Sequence, residues 1–163
     1  MSRKATKAPG NRYYEARMRA AKYNPDFAIR RTAAEYLPGV EEDSLKKYEL
    51  DITRPPNTVI ALMADAYNAP DLREWYCATE CPLGKDCRII EDMPPERTLI
   101  RLQNSSRELN EVIQELGYVM QDGKINEGEE VTVRDARESL LETKRRITEI
   151  LAALEKAERI GKF

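Results

Sequence analysis

The stretch from Thr32 to Asp51 constrains the fold more than any other part of the chain. It reads T-A-A-E-Y-L-P-G-V-E-E-D-S-L-K-K-Y-E-L-D: an alanine-rich helix, a Pro-Gly turn, and a second helix opened by an acidic run. Small side chains at Ala33 and Ala34 allow two helices to approach closely, and Pro38-Gly39 forces a sharp reversal. Val40, Leu45 and Tyr48 then fall on one face of the following helix. The expected result is a pair of helices crossing steeply, with the second one presented outward.

The flanking residues extend this to a five-helix domain over residues 11–76. Asn11 and Asn24 bracket a first helix over residues 13–23, with Tyr14, Met18 and Ala21 spaced three or four apart. Asn24-Pro25-Asp26 ends it, because proline disfavours helix in the residue before it. After Pro55-Pro56, the spacing of Val59, Leu62, Met63 and Ala66 predicts another amphipathic helix. A last short helix starts at Asp71, as a cap after Pro70, with Leu72, Trp75 and Tyr76 closing the core. No segment of this span alternates as a strand does.

Charge is unevenly spread. Residues 1–31 carry nine Lys/Arg against Glu15 and Asp26, a net +7 in a chain of net charge −2, which leaves −9 for the rest. Residues 1–10 read as a flexible basic arm, of the kind that reaches along a groove or touches phosphates. An ordinary solvated N-terminus has the same composition.

These features together resemble the phage-repressor/Cro-like, or XRE-type, helix-turn-helix regulators. The pattern in that family runs G-V-S-x-x-x-I/L-x-x-x-E-x-G, and Gly39, Val40, Leu45 and Glu49 fall in the corresponding places. Pro38 reads as an insertion in the turn, Glu41 replaces the serine or threonine, and Asp51 replaces the closing glycine. The resemblance implies a dimeric, sequence-specific DNA-binding regulator of bacterial or prophage type. Base contacts would come from the first turn of the second helix, at Glu42, Asp43 and Ser44, with Lys47 one turn on. Arg30 stands where the family often has a phosphate-binding glutamine. Positioning on the backbone would come from Arg3, Lys4, Lys7, Arg17, Arg30 and Lys46. Carboxylates at Glu42 and Asp43 work against this, since they face phosphates unless a cytosine amino group or a cation receives them. Acids at a helix N-terminus also serve its free amides and dipole.

All three cysteines lie in a connector over residues 77–95, as Cys77-x-x-x-Cys81-Pro82-x-Gly84-x-x-Cys87. Packing in a compact turn, a zinc site and redox pairing are the readings open to them. Zinc would need a carboxylate such as Glu80 or Asp86 as fourth ligand, and the spacing matches neither a zinc knuckle nor a ferredoxin pattern. A disulfide would not persist in a reducing cytoplasm. The string Y-C-x-x-x-C-P-x-G resembles one in prophage-encoded members of the same regulator family.

Residues 96–163 read as an antiparallel helical hairpin. Leu99, Leu102, Leu109, Val112, Ile113, Leu116 and Val119 form one stripe. Val133, Ala136, Leu140, Leu141, Ile147, Ile150, Leu151 and Leu154 form another. Asp122-Gly123 stops the first helix, and its D-G-x-I lacks the alternating ligands of a calcium loop. Such a coiled-coil-like hairpin seldom buries both faces alone, so a homodimer through it is expected. The chain is thus expected to be all-α and cytoplasmic, with double-stranded DNA as partner and no cofactor. With no histidine and no Gly-rich phosphate loop, nothing catalytic is legible. The competing expectation is a protein-interaction module or phage assembly element that keeps the fold and offers its acidic helix to a basic partner.

Overall fold

Helical spacing dominates the sequence, and all regular structure among the described residues is helical. The computed structural model describes residues 10–161, and the chain divides between Tyr76 and Cys77 into two compact units. The basic arm, with Arg3, Lys4 and Lys7, lies outside the described residues.

In the first unit, α1 spans Arg12–Ala20 and opens on Asn11, whose side-chain oxygen accepts the Tyr14 amide at 2.9 Å. An N-cap of this kind contributes about 1 kcal/mol. The same side chain donates to the Tyr48 carbonyl at 3.0 Å and to Asp51 at 2.8 Å. One asparagine therefore fixes the start of α1 to the end of α3. The first helix stops at Ala20 rather than at Tyr23, and the chain turns through a 3₁₀ segment, Pro25–Ala28, capped by Asn24.

Helices α2 (Arg30–Glu35) and α3 (Glu42–Glu49) follow, then α4 (Asn57–Ala66) and α5 (Pro70–Thr79). They close over Tyr13, Phe27, Leu37, Leu45, Ile60 and Met63, with Ala33 fully buried where α2 meets its neighbours. Trp75 stands edge-on to Tyr13, with ring centres 5.8 Å apart. Asp51 has φ 55°, a left-handed conformation that Asp tolerates better than most residues. That accounts for an aspartate where the resembled pattern has glycine. α5 begins at Pro70, and Asp71 sits in its first turn, ion-paired with Arg19 at 2.5 Å.

In the second unit the connector makes one very close turn. A Cβ on Gly84 would fall 1.6 Å from the Cys77 carbonyl oxygen, so only glycine fits. The Gly84 amide donates to the Cys81 carbonyl and the Cys87 amide to the Gly84 carbonyl, each at 2.9 Å. The chain then follows α7 (Glu130–Arg159), tied by Asp86–Arg137 at 2.6 Å, Arg88–Glu138 at 2.7 Å and Asp92–Lys156 at 2.6 Å. Ile90 is buried beneath this segment.

Helix α6 (Pro95–Val119) packs along α7. The residues α6 buries are Thr98, Ser105, Val112 and Val119, seven apart, while Ala136, Thr143, Ala153 and Ala157 are buried on α7. The seam is built mainly from small side chains. Of the expected stripes, Leu99, Ile113, Leu140, Ile147, Leu151 and Leu154 are exposed instead. Val112, Val119 and Ala136 of the same stripes are buried, and the small residues beside them permit the closer approach.

Candidate nucleic-acid interface

The α2–α3 pair is positioned by a buried carboxylate. Glu49, on the last turn of α3, has a fully buried side chain. Arg17 of α1 grips it with two donors, Nε to Oε1 at 2.5 Å and Nη2 to Oε2 at 3.0 Å. Arg30, first residue of α2, adds Nε to Oε2 at 2.7 Å. The remaining guanidinium nitrogen of Arg17 donates to the Phe27 and Ala28 carbonyls at 2.6 and 3.2 Å. Two cations and one anion thus tie α1, the 3₁₀ turn, α2 and α3 into one body. Planar, bidentate pairing is what makes arginine fit here where lysine would not. Beneath them, burial pushes the Tyr67 hydroxyl pKa up from its ordinary value, with Glu49 adding to the rise and Arg17 offsetting part of it.

This arrangement corrects the expectation for two arginines. Arg17 has a side chain only 3% exposed and each of its three guanidinium nitrogens donates inside the fold, so it is not available to a phosphate. Arg30 is mostly covered and holds Glu49 as well. Both are positioning residues. Sequence reasoning matched Glu49 to the family pattern but found no role for it; its arginine partners lie far off along the chain, and no local spacing announces them.

The outer face of α3 carries Glu42, Asp43, Lys46 and Lys47, all exposed, with Ser44 half-buried and Leu45 completely buried. Glu42 to Lys46 and Asp43 to Lys47 are four residues apart, a spacing that permits ion pairs. Neither pair closes, and both lysines stand without a salt bridge among the described residues. Glu41 is the N-cap of α3 and makes no side-chain capping bond. Acids in the first turn and lysines in the last still complement the helix dipole.

The turn between α2 and α3 buries Leu37 and Val40 and passes through Gly39 at φ 79°. Pro38 is exposed, between the buried Leu37 and the Gly39 turn. Arg31, in the first turn of α2, is exposed and unpaired among the described residues. It was counted in the basic half but not singled out from sequence; its place beside Arg30, which turns inward, becomes clear only from the fold.

The three cysteines are half-buried and lie outside any disulfide among the described residues. Among the described residues no three His, Cys, Asp or Glu side chains come together as a metal site, and no helix is long and apolar enough to cross a membrane. The chain matches no protein-family model, no curated protein and no solved structure.

Proposed function

We propose that this protein is a sequence-specific DNA-binding transcriptional regulator of the phage-repressor/Cro-like helix-turn-helix kind, acting as a dimer. Helices α2 and α3 form the helix-turn-helix, and α6 and α7 form an antiparallel hairpin that pairs two copies. The observation that carries the reading is the clamp on Glu49, which holds α3 from its buried side while Lys46 and Lys47 stand on the outer side, unpaired among the described residues. A rigid helix with free cations on one face is what backbone positioning on a duplex requires. Arg31, exposed at the start of α2, extends that surface. Ser44 and Lys47 stand nearest the bases.

A second reading is favoured by Glu41, Glu42 and Asp43, which are exposed and without ion-pair partners among the described residues. An acidic helix end of this kind suits a basic protein partner, in an interaction module or phage assembly element that keeps the fold. Fluorescence anisotropy with duplex from the gene's own upstream region, beside a scrambled duplex and across a salt series, separates the two. The regulator binds the first duplex selectively with a steep salt slope. No binding to either duplex at low salt would overturn it and leave the partner-binding module.

A further inference from the structure

The small-residue seam between α6 and α7 displaces the large apolar residues to one side of the pair, and they keep a strict seven-residue period. On α6, Leu102, Leu109 and Leu116 each follow a seam residue by four, and all three are half-buried. On α7, Val133, Leu140, Ile147 and Leu154 form a single column, and the last three also follow by four the seam line that runs through Ala136 and Thr143. A step of four residues is a rotation of about 40–50° at 3.6 residues per turn, in the same sense on both helices. In an antiparallel pair, equal rotation places both columns on the same side. Leu99 and Ile113 widen that side on α6 and Leu151 widens it on α7, with exposures of 48%, 55% and 60%. The opposite side of α7, at Glu149 and Lys156, meets the connector through the Glu91 amide and Asp92.

We propose that this side is the interface with a second copy of the chain, closing an antiparallel four-helix bundle. Period is the first reason for choosing that occupant: a surface repeating every seven residues on two helices is filled by helices of the same repeat, and a copy of the hairpin supplies them in register. Size is the second. Large side chains left about half in water give roughly 500 Å² per copy, within reach of the roughly 800 Å² per partner of a specific interface. Charge is the third, and it sets the arrangement. Arg137, ion-paired with Asp86 of the connector, and Lys144, which donates to the Asp86 carbonyl at 3.4 Å, border the apolar column of α7, whereas the corresponding column of α6 is Leu99, Ser106, Ile113 and Met120, with no charge. Stacking α7 of one copy over α6 of the other keeps the two sets of cations apart. This deepens the dimer proposed above and rests on the hairpin reading, but not on DNA binding.

The test is sedimentation equilibrium of the full chain and of a Leu140→Glu/Ile147→Glu double variant, whose altered residues are exposed within one chain. The parent is expected at twice the 18.8 kDa chain mass. The variant is expected as a monomer with unchanged helical circular dichroism, its dimer dissociation constant raised by about 100-fold or more. Should the glutamates cost helicity, the milder Leu140→Ser/Ile147→Ser and Ile113→Ser variants must weaken the dimer without that loss, and Glu111→Lys on the far side must leave it intact. A monomeric parent at high concentration overturns the proposal, since the face is then covered within the chain or reserved for another protein. A glutamate variant that stays dimeric overturns it equally. A dimeric parent that binds no DNA upholds this interface while removing the regulator reading alone.

Discussion

The two units bury a glutamate each, and they do so differently. Glu49 is enclosed with Arg17, a guanidinium almost as inaccessible as itself, in a core of large side chains. Glu149 is equally buried, but its partners Arg146 and Arg145 keep 17% and 22% of their side chains in water, and the surrounding seam is small. The first unit uses its ion pairs to join helices that are distant in sequence. The second joins two long helices by close approach and leaves its large apolar residues outside. One unit buries its large apolar residues by its own packing, while the other leaves the apolar side on which the dimer is proposed.

The largest expected effect tests that contrast. Glu49→Ala leaves Arg17 buried without its anion, a loss of about 3–5 kcal/mol and a large fraction of a domain's stability. Urea unfolding followed by Trp75 fluorescence, which reports the first unit alone, should show the midpoint collapse. Glu149→Ala should cost about 1–3 kcal/mol, because Arg145 and Arg146 can extend their heads to water. Equal losses would erase the distinction between the units.

The next effect sharpens the seam. Thr98 is completely buried on α6, with its hydroxyl returned to the Pro95 carbonyl at 2.8 Å. Thr98→Leu makes the helix more apolar yet should destabilise the second unit by about 1–3 kcal/mol through overpacking. A stabilised variant, measured by the thermal midpoint of helical circular dichroism, would mean that the seam has room and that small residues do not set its spacing.

How far each unit was legible follows from the same contrast. In the first, Ala33, Val40 and Leu45 announced themselves by turn chemistry and helical spacing, since local pattern and burial coincide there. The Glu49 clamp was invisible because its partners come from other helices. In the second, apolar spacing identified α6 and α7 through large stripe residues such as Leu99 and Ile147, but it did not pick out the small residues of the interior. Thr98, Ser105 and Thr143 occupy it instead, as a close helix approach rewards small volume over apolar area. Arg17 and Arg30 were read as surface cations for a similar reason: charge is visible in a sequence, whereas its neutralisation inside a fold is not.

The smallest expected effect lies in the exposed loop after α6. The Asp122 carboxyl is held below its ordinary pKa, first by the Lys124 amide and then by the Asn126 side chain. A lowered folded value means that this contribution is present above the ordinary carboxylate range and is lost as pH falls through the folded value. The Lys124 amide resonance should therefore titrate with Asp122 in acid, and Asp122→Asn should abolish that titration. An unchanged titration in the variant would assign it to another carboxylate.

The most direct test of the central claim, that α3 is held rigid so that its free lysines can face a duplex, is the salt dependence of binding by Lys46→Ala/Lys47→Ala. If both lysines neutralise phosphates, the slope of log K against log salt becomes shallower by about two per subunit, with no loss of thermal stability. A variant whose slope and affinity match the parent's would contradict the claim and place the duplex, if one binds at all, on another face of the molecule.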